Sequence, residues 1–152
     1  MVEELKTAPT PDKDYTNFFL DPELAKHPGI KLPSAIFGAH QGKILSFVSG
    51  KSISIAFPVS EFQTNPIGTL QGGILSSFFD ETLGCLCFAS LHKVCVTIDM
   101  TVNFIRPMCP GEIVVIRAEF KARGRKLLHL LAEAYNEKEK LVATATSNLM
   151  PY

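Results

Sequence analysis

NPIGTLQGGILSSFFDE, residues 65–81, joins a turn, a glycine pair and an apolar helix carrying two acids. Asn65-Pro66 and Gly68 are turn residues, and Gly72-Gly73 lead straight into a long apolar run. Asp80-Glu81 fall in the middle of that run. Burying a carboxylate in an apolar helix costs several kcal/mol unless it is hydrogen-bonded or has chemical work to do. A glycine-rich helix start holds an anion or a developing oxyanion, because its first amides are unpaired. Eight residues separate Gly72 from Asp80, roughly 10–12 Å at 1.5 Å per residue. One extended ligand, or two subunits, would bring both features to bear on one bond.

The apolar run continues to residue 91, the length of a bilayer span. Asp80 and Glu81 sit at its centre, where charge is most costly, and Ser76, Ser77 and Thr82 add polarity. It is therefore read as a core helix and no membrane contact is expected. Leu75, Phe79, Leu83 and Leu86 form one stripe of it, and Phe78, Thr82, Cys85 and Ala89 a second. Gly73, Ser76, Ser77, Asp80, Gly84 and Cys87 form a third, made of small residues around one acid. A helix apolar nearly all round must be wrapped, and the small stripe leaves room for a partner chain or a ligand.

On either side the sequence reads as strands. Residues 43–47 and 52–57 alternate about Ser49-Gly50-Lys51, a hairpin. Residues 94–105 (VCVTIDMTVNFI) alternate strictly, with Val94, Val96, Ile98, Met100, Val102 and Phe104 on one face. Cys95, Thr97, Asp99, Thr101 and Asn103 take the other. Residues 112–121, 126–135 and 141–149 complete the set, joined by short turns. Short connections favour an antiparallel sheet, since parallel strands need helical crossovers. A short helical or irregular segment is expected over 22–36, ending near Pro33. The chain reads as a loosely ordered segment, 1–20, followed by a single domain, 21–152.

Lys+Arg and Asp+Glu are both 15, so no net field draws the chain to nucleic acid. The start, MVEELKTAPTPDKDY, is charged and without an apolar core, which points to a cytoplasmic protein. Cys85, Cys87, Cys95 and Cys109 contain no Cys-x-x-Cys and read as reduced, buried thiols. His27, His40, His92 and His129 have no metal-ligand spacing, so neither metal nor cofactor is expected.

Asn65-x5-Gln71-Gly72-Gly73-x6-Asp80 resembles the signature of hotdog-fold acyl-CoA thioesterases of the phenylacetate-degradation (PaaI-like) type. The strand VTIDMTVNFIRP, the turn Pro110-Gly111, GRKL at 124–127 and the closing LVATATSNL fit in the same order. The resemblance covers roughly residues 30–150 and implies an α+β hotdog fold. That is a curved antiparallel sheet of five to six strands wrapped round one long helix. It further implies a homodimer, or a dimer of dimers, with active sites formed between subunits.

The chemistry follows from that resemblance. Thioester hydrolysis needs a polarised carbonyl and an activated water. By family correspondence, Gly72 N–H polarises the carbonyl and Asp80 of the partner subunit activates the water. Burial would raise the pKa of Asp80 toward useful basicity. Asn65, Gln71 and Thr97 would order the reacting groups; Glu81, the competitor to Asp80 one residue along, matches the family pattern less well and is expected in a structural or solvent-linked role. Gly73 would let the ligand approach the backbone. Arg123, Arg125 and Lys126 cluster at a turn and would meet the phosphates of CoA. One residue departs from the pattern: many members carry His where this chain has Gln71. Gln hydrogen-bonds both ways but cannot titrate. The alternative is therefore a non-catalytic acyl-CoA-binding or regulatory hotdog protein.

Overall fold

In the computed structural model the described residues are 18–20, 22, 26 and 29–152. The loosely ordered segment expected over 1–20 thus lies outside the described residues, except for 18–20. Six strands form one antiparallel sheet: β1 (Lys43–Val48), β2 (Ser52–Pro58), β3 (Cys95–Phe104), β4 (Ile113–Arg123), β5 (Leu128–Tyr135) and β6 (Leu141–Pro151). Their order is β1-β2-β4-β5-β6-β3, so β1 and β3 are its edges. A short helix, α1 (Ala35–Ala39), precedes them, and the long helix α2 (Gly72–Leu91) lies between β2 and β3 in the chain. Of the short helical or irregular segment expected over 22–36, residues 23–25, 27 and 28 lie outside the described residues; 29–34 are irregular, and α1 begins at Ala35, where Ser34 Oγ caps it by accepting from Phe37 N.

The sheet curves round α2, burying two of the three stripes. Leu75, Phe78, Phe79, Leu83 and Leu86 are buried among Ile53, Ile55, Ile116, Leu128 and Leu130. Phe57 and Phe78 stack with centroids 4.4 Å apart, pinning α2 to β2. Truncating a ring so buried costs about 3–5 kcal/mol. Thr82, wholly buried, returns its hydroxyl to Phe78 O at 2.8 Å, so no polar atom is stranded there. The third stripe stays open except at its C-terminal end: Gly73 and Asp80 are exposed and Ser76, Ser77 and Gly84 half-buried, while Cys87 is buried.

Strict alternation along β3 does not hold. A bulge between Thr97 and Asp99 changes which face successive side chains take. Asp99 fixes it by accepting from Asn148 Nδ2 at 2.9 and 3.1 Å, and its carbonyl accepts from Ser147 Oγ. Before the bulge Cys95 packs against the core; after it Met100 and Val102 do. Thr97 and Met100, placed on opposite faces by simple alternation, therefore share the face turned to α2.

Candidate functional site

The loop before α2 is built by Asn65. Its Oδ1 accepts from Ile67 N and Thr69 N at 3.1 Å each, and its Nδ2 donates to Thr69 Oγ1 at 2.8 Å. Gln71 is the N-cap of α2, its Oε1 accepting from Ile74 N at 2.9 Å. That oxygen would lie 2.8 Å from a Cβ placed on Gly73, so a side chain there would have to displace the cap. Gly72 packs against Phe104, whose ring would be 3.1 Å from a Cβ at that position. Among the described residues no acceptor is found for the N–H of Gly72 or Gly73, as geometry dictates for the first turn of a helix. A cavity of about 340 Å³ opens here, lined by Asn65, Thr69, Gly72, Phe104, Arg106 and Met108 among others. It offers backbone donors and one guanidinium, but no carboxylate.

The acids belong to a second cavity, of about 210 Å³. Asp80 and Thr97 meet in its wall, with Thr97 Oγ1 donating to Asp80 Oδ1 at 2.7 Å. The bond fixes the carboxylate and leaves Oδ2 with no partner among the described residues. The expectation of a buried Asp80 is corrected: in the single chain it is exposed, because its stripe faces past the edge strand. Glu81 is the half-buried acid, and burial pushes its carboxyl above the usual range despite a hydrogen bond from Ser34 Oγ at 3.0 Å. Phe18, Phe19, Phe37 and Phe88 supply an aromatic wall. This cavity has carboxylates and apolar surface.

The two cavities lie at opposite ends of one seam. α2 runs antiparallel to β3, so Gly72 faces Phe104 and Asp80 faces Thr97. β3 is an edge, with its ladder unpaired on the far side, and it exposes Val96, Ile98 (54%), Phe104 (54%) and, just beyond, Ile105. A long apolar edge is a template for another strand.

The basic turn sits at the Thr97 end of the sheet, in the row Arg123–Leu128–Leu149–Thr97. Three strand spacings, about 14 Å, separate Arg123 from β3. Arg125 and Lys126 are exposed, while Arg123 lies over the Phe120 ring and donates to Gly50 O at 3.2 Å. Sequence reasoning missed two features. Arg106 lines the helix-start cavity and donates to Leu141 O; its place directly after the β3 alternation was the available signal. The Ser34–Glu81 contact spans 47 residues and had no local signal at all. The four cysteines are free, but of the buried thiols expected only Cys87 is buried: Cys85 and Cys95 are half-buried and Cys109 is exposed.

The family model of the thioesterase superfamily matches residues 67–143. Human acyl-coenzyme A thioesterase 13 is 34% identical over 107 residues, covering 67% of this chain and 75% of its own length. A putative thioesterase from Ralstonia eutropha, described as phenylacetic acid degradation-related, is 30% identical with a TM-score of 0.73. That match spans 80% of this chain and 92% of the other. The PaaI protein of the E. coli phenylacetic acid degradation operon superimposes with a TM-score of 0.75 over 79% of this chain and 86% of its own. At 22% identity it shares the fold alone.

Proposed function

Because the chain belongs to the thioesterase superfamily, we propose that it hydrolyses acyl-CoA thioesters at a site completed by a second copy of itself. The observation that carries this reading is the split of the parts along one seam: free amides at Gly72, and the Thr97-held Asp80 about 12 Å away. Antiparallel pairing of two β3 edges about an axis near Met100 and Thr101 lays Thr97 of one copy beside Phe104 of the other. Each helix-start cavity then faces an Asp80 cavity. The exposed apolar residues of β3 favour that pairing.

In the joined site Asp80 Oδ2 takes a proton from water, whose oxygen attacks the thioester carbonyl carbon. Thr97 holds the other oxygen still. The negative charge that forms on the carbonyl oxygen is met by Gly72 N–H of the second copy, reinforced by the helix dipole. Collapse of the tetrahedral intermediate breaks the C–S bond and returns the proton from Asp80 to sulfur, giving a carboxylic acid and the free thiol of CoA. Gln71 and Asn65 act at one remove, the first capping α2 and the second shaping the loop. The aromatic cavity beside Asp80 takes the acyl group. Arg106 of one copy and Arg123, Arg125 and Lys126 of the other flank the cleft where the CoA phosphates would lie.

The human relative's name supports the substrate class. Thiol release from a panel of short, long and aromatic acyl-CoAs tests it. Turnover of at least one, abolished in Asp80→Asn, is expected. Binding seen as a thermal shift, with no thiol released across the panel, would instead identify a binding protein.

A further inference from the structure

α2 presents one ridge to the second cavity: Asp80, Gly84 and Phe88 follow one another a turn apart, with Glu81 and Cys85 beside them. Hydrogen bonds mark the two sides of that ridge. Asp80 is tied to Thr97 of β3, whereas Glu81, rotated about 100° round the helix, is tied to Ser34 at the start of α1. The cavity therefore crosses α2. It runs from the acid–threonine pair on one side to Leu32, Ser34 and the phenylalanines on the other.

Those phenylalanines are a connected wall. Phe18–Leu20 make one turn of 3-10 helix, and the rings of Phe18 and Phe19 meet edge to face at 5.1 Å. Phe19 rests on Phe37 at 5.1 Å, and Phe37 on the wholly buried Phe57 of β2 at 5.9 Å. Phe18 rests on Phe47 of β1 at 5.2 Å. The turn is thus held to the domain at two points by edge-to-face pairs, and both of its rings line the cavity. The ridge below carries a second sign of an occupant. Gly84 sits in mid-helix, where glycine is less favourable than alanine. A Cβ there would meet nothing within 4 Å among the described residues, so packing within the chain does not call for glycine. Its missing side chain keeps the ridge low where something crosses.

We propose that the Phe18–Phe19 turn is the end wall of the acyl cavity and restricts the substrate to acyl groups of roughly eight carbons or one aromatic ring. The size follows from volume. An apolar cavity of about 150 Å³ holds one benzene. This one has about 210 Å³, room for a ring and about two further carbons. With the thioester carbonyl beside Asp80, the tail passes over Gly84 and ends against Phe18 and Phe19. A longer tail has to displace rings that are anchored on both β1 and β2.

That the occupant is an acyl group rests on the hydrolase reading above; the wall itself is measured by binding. Non-hydrolysable CoA thioethers with butyl, octyl, dodecyl and hexadecyl tails are titrated into the full chain by calorimetry. Affinity should tighten about two- to fourfold per carbon from butyl to octyl and gain nothing beyond. Phe18→Ala and Phe19→Ala, each removing a half-buried ring, should carry the gain on to dodecyl. Gly84→Leu should end it at butyl without lowering Tm, since leucine is the better helix former. Phe62→Ala, which removes an exposed ring outside the cavity, should leave the profile of the wild type. Tightening that runs unbroken to hexadecyl in the wild type, or a break that stays at octyl in both phenylalanine variants, would overturn the proposal. The same tails offered as thioesters separate the two readings. A break at octyl with no thiol released would remove the hydrolase and keep the wall, and turnover with no break would remove the wall alone.

Discussion

The two ends of the α2–β3 seam differ in kind. Around Gly72 the chain presents backbone: two amides without acceptors, a loop tied by Asn65, and a cavity whose one charged residue is Arg106. Around Asp80 it presents side chains: two acids, a threonine hydroxyl and four phenylalanines. In the proposed reaction one end meets negative charge and the other accepts a proton. On that reading a single chain holds each half of the site once, along the exposed edge strand β3.

The largest effect should come from the proton-accepting end. Asp80→Asn keeps the shape and the hydrogen bond to Thr97 but removes the base, and turnover should fall about 10³-fold, with KM little changed. Retained activity in this variant would remove Asp80 from the mechanism. The complementary change at the other end is Gly72→Pro. Proline suits the first position of a helix and Gln71 already has the extended backbone that a following proline requires. The substitution deletes one N–H, and a loss of about 10²–10³-fold in turnover is expected. Its ring would press on Phe104, which is exposed enough to turn aside.

Mixing the two variants breaks or sharpens the comparison directly. If the halves act across copies, a mixed dimer has one site with both groups intact and one with neither. Co-refolding equal amounts should then restore roughly a quarter of wild-type turnover, since half the dimers are mixed and each has one working site of two. No recovery on mixing would place the whole site within one chain.

The sequence revealed these two ends unevenly. The helix, its wrapped position and all six strands follow from periodicity, because burial on a defined face leaves a trace in the order of residues. The glycine pair and Asp80 were legible for the same reason: each breaks the apolar pattern. Thr97 was legible only through resemblance. Alternation set it opposite Met100, and nothing local to residues 94–105 announces a bulge pinned by Asn148 and Ser147 from another strand. The exposure of Asp80 was hidden too, because an edge strand is a property of sheet order rather than of any segment. Glu81 was set aside for a structural role, yet it is the carboxyl that burial perturbs.

Thr97 and Glu81 give the smaller effects, and they separate orientation from burial within the Asp80 end. Thr97→Val removes the hydroxyl that holds Asp80 Oδ1 and keeps the branched shape, so turnover should drop about tenfold with the fold intact. A loss as large as that of Asp80→Asn would mean the hydroxyl contacts the reacting atoms itself. Glu81→Gln keeps an acceptor for Ser34 and removes a charge from a half-buried place. The folded carboxyl titrates above its unfolded value of 4.5, so the folded state holds the extra proton between those two values. Stability therefore declines as pH rises from about 4.5 through the raised value, and the charged form is the costly one at neutral pH. Glu81→Gln should abolish that slope and raise Tm at pH 7 by ~2 °C, with turnover nearly unchanged. A fall in Tm at pH 7 would show that the Ser34 contact needs the full charge and outweighs the desolvation it offsets.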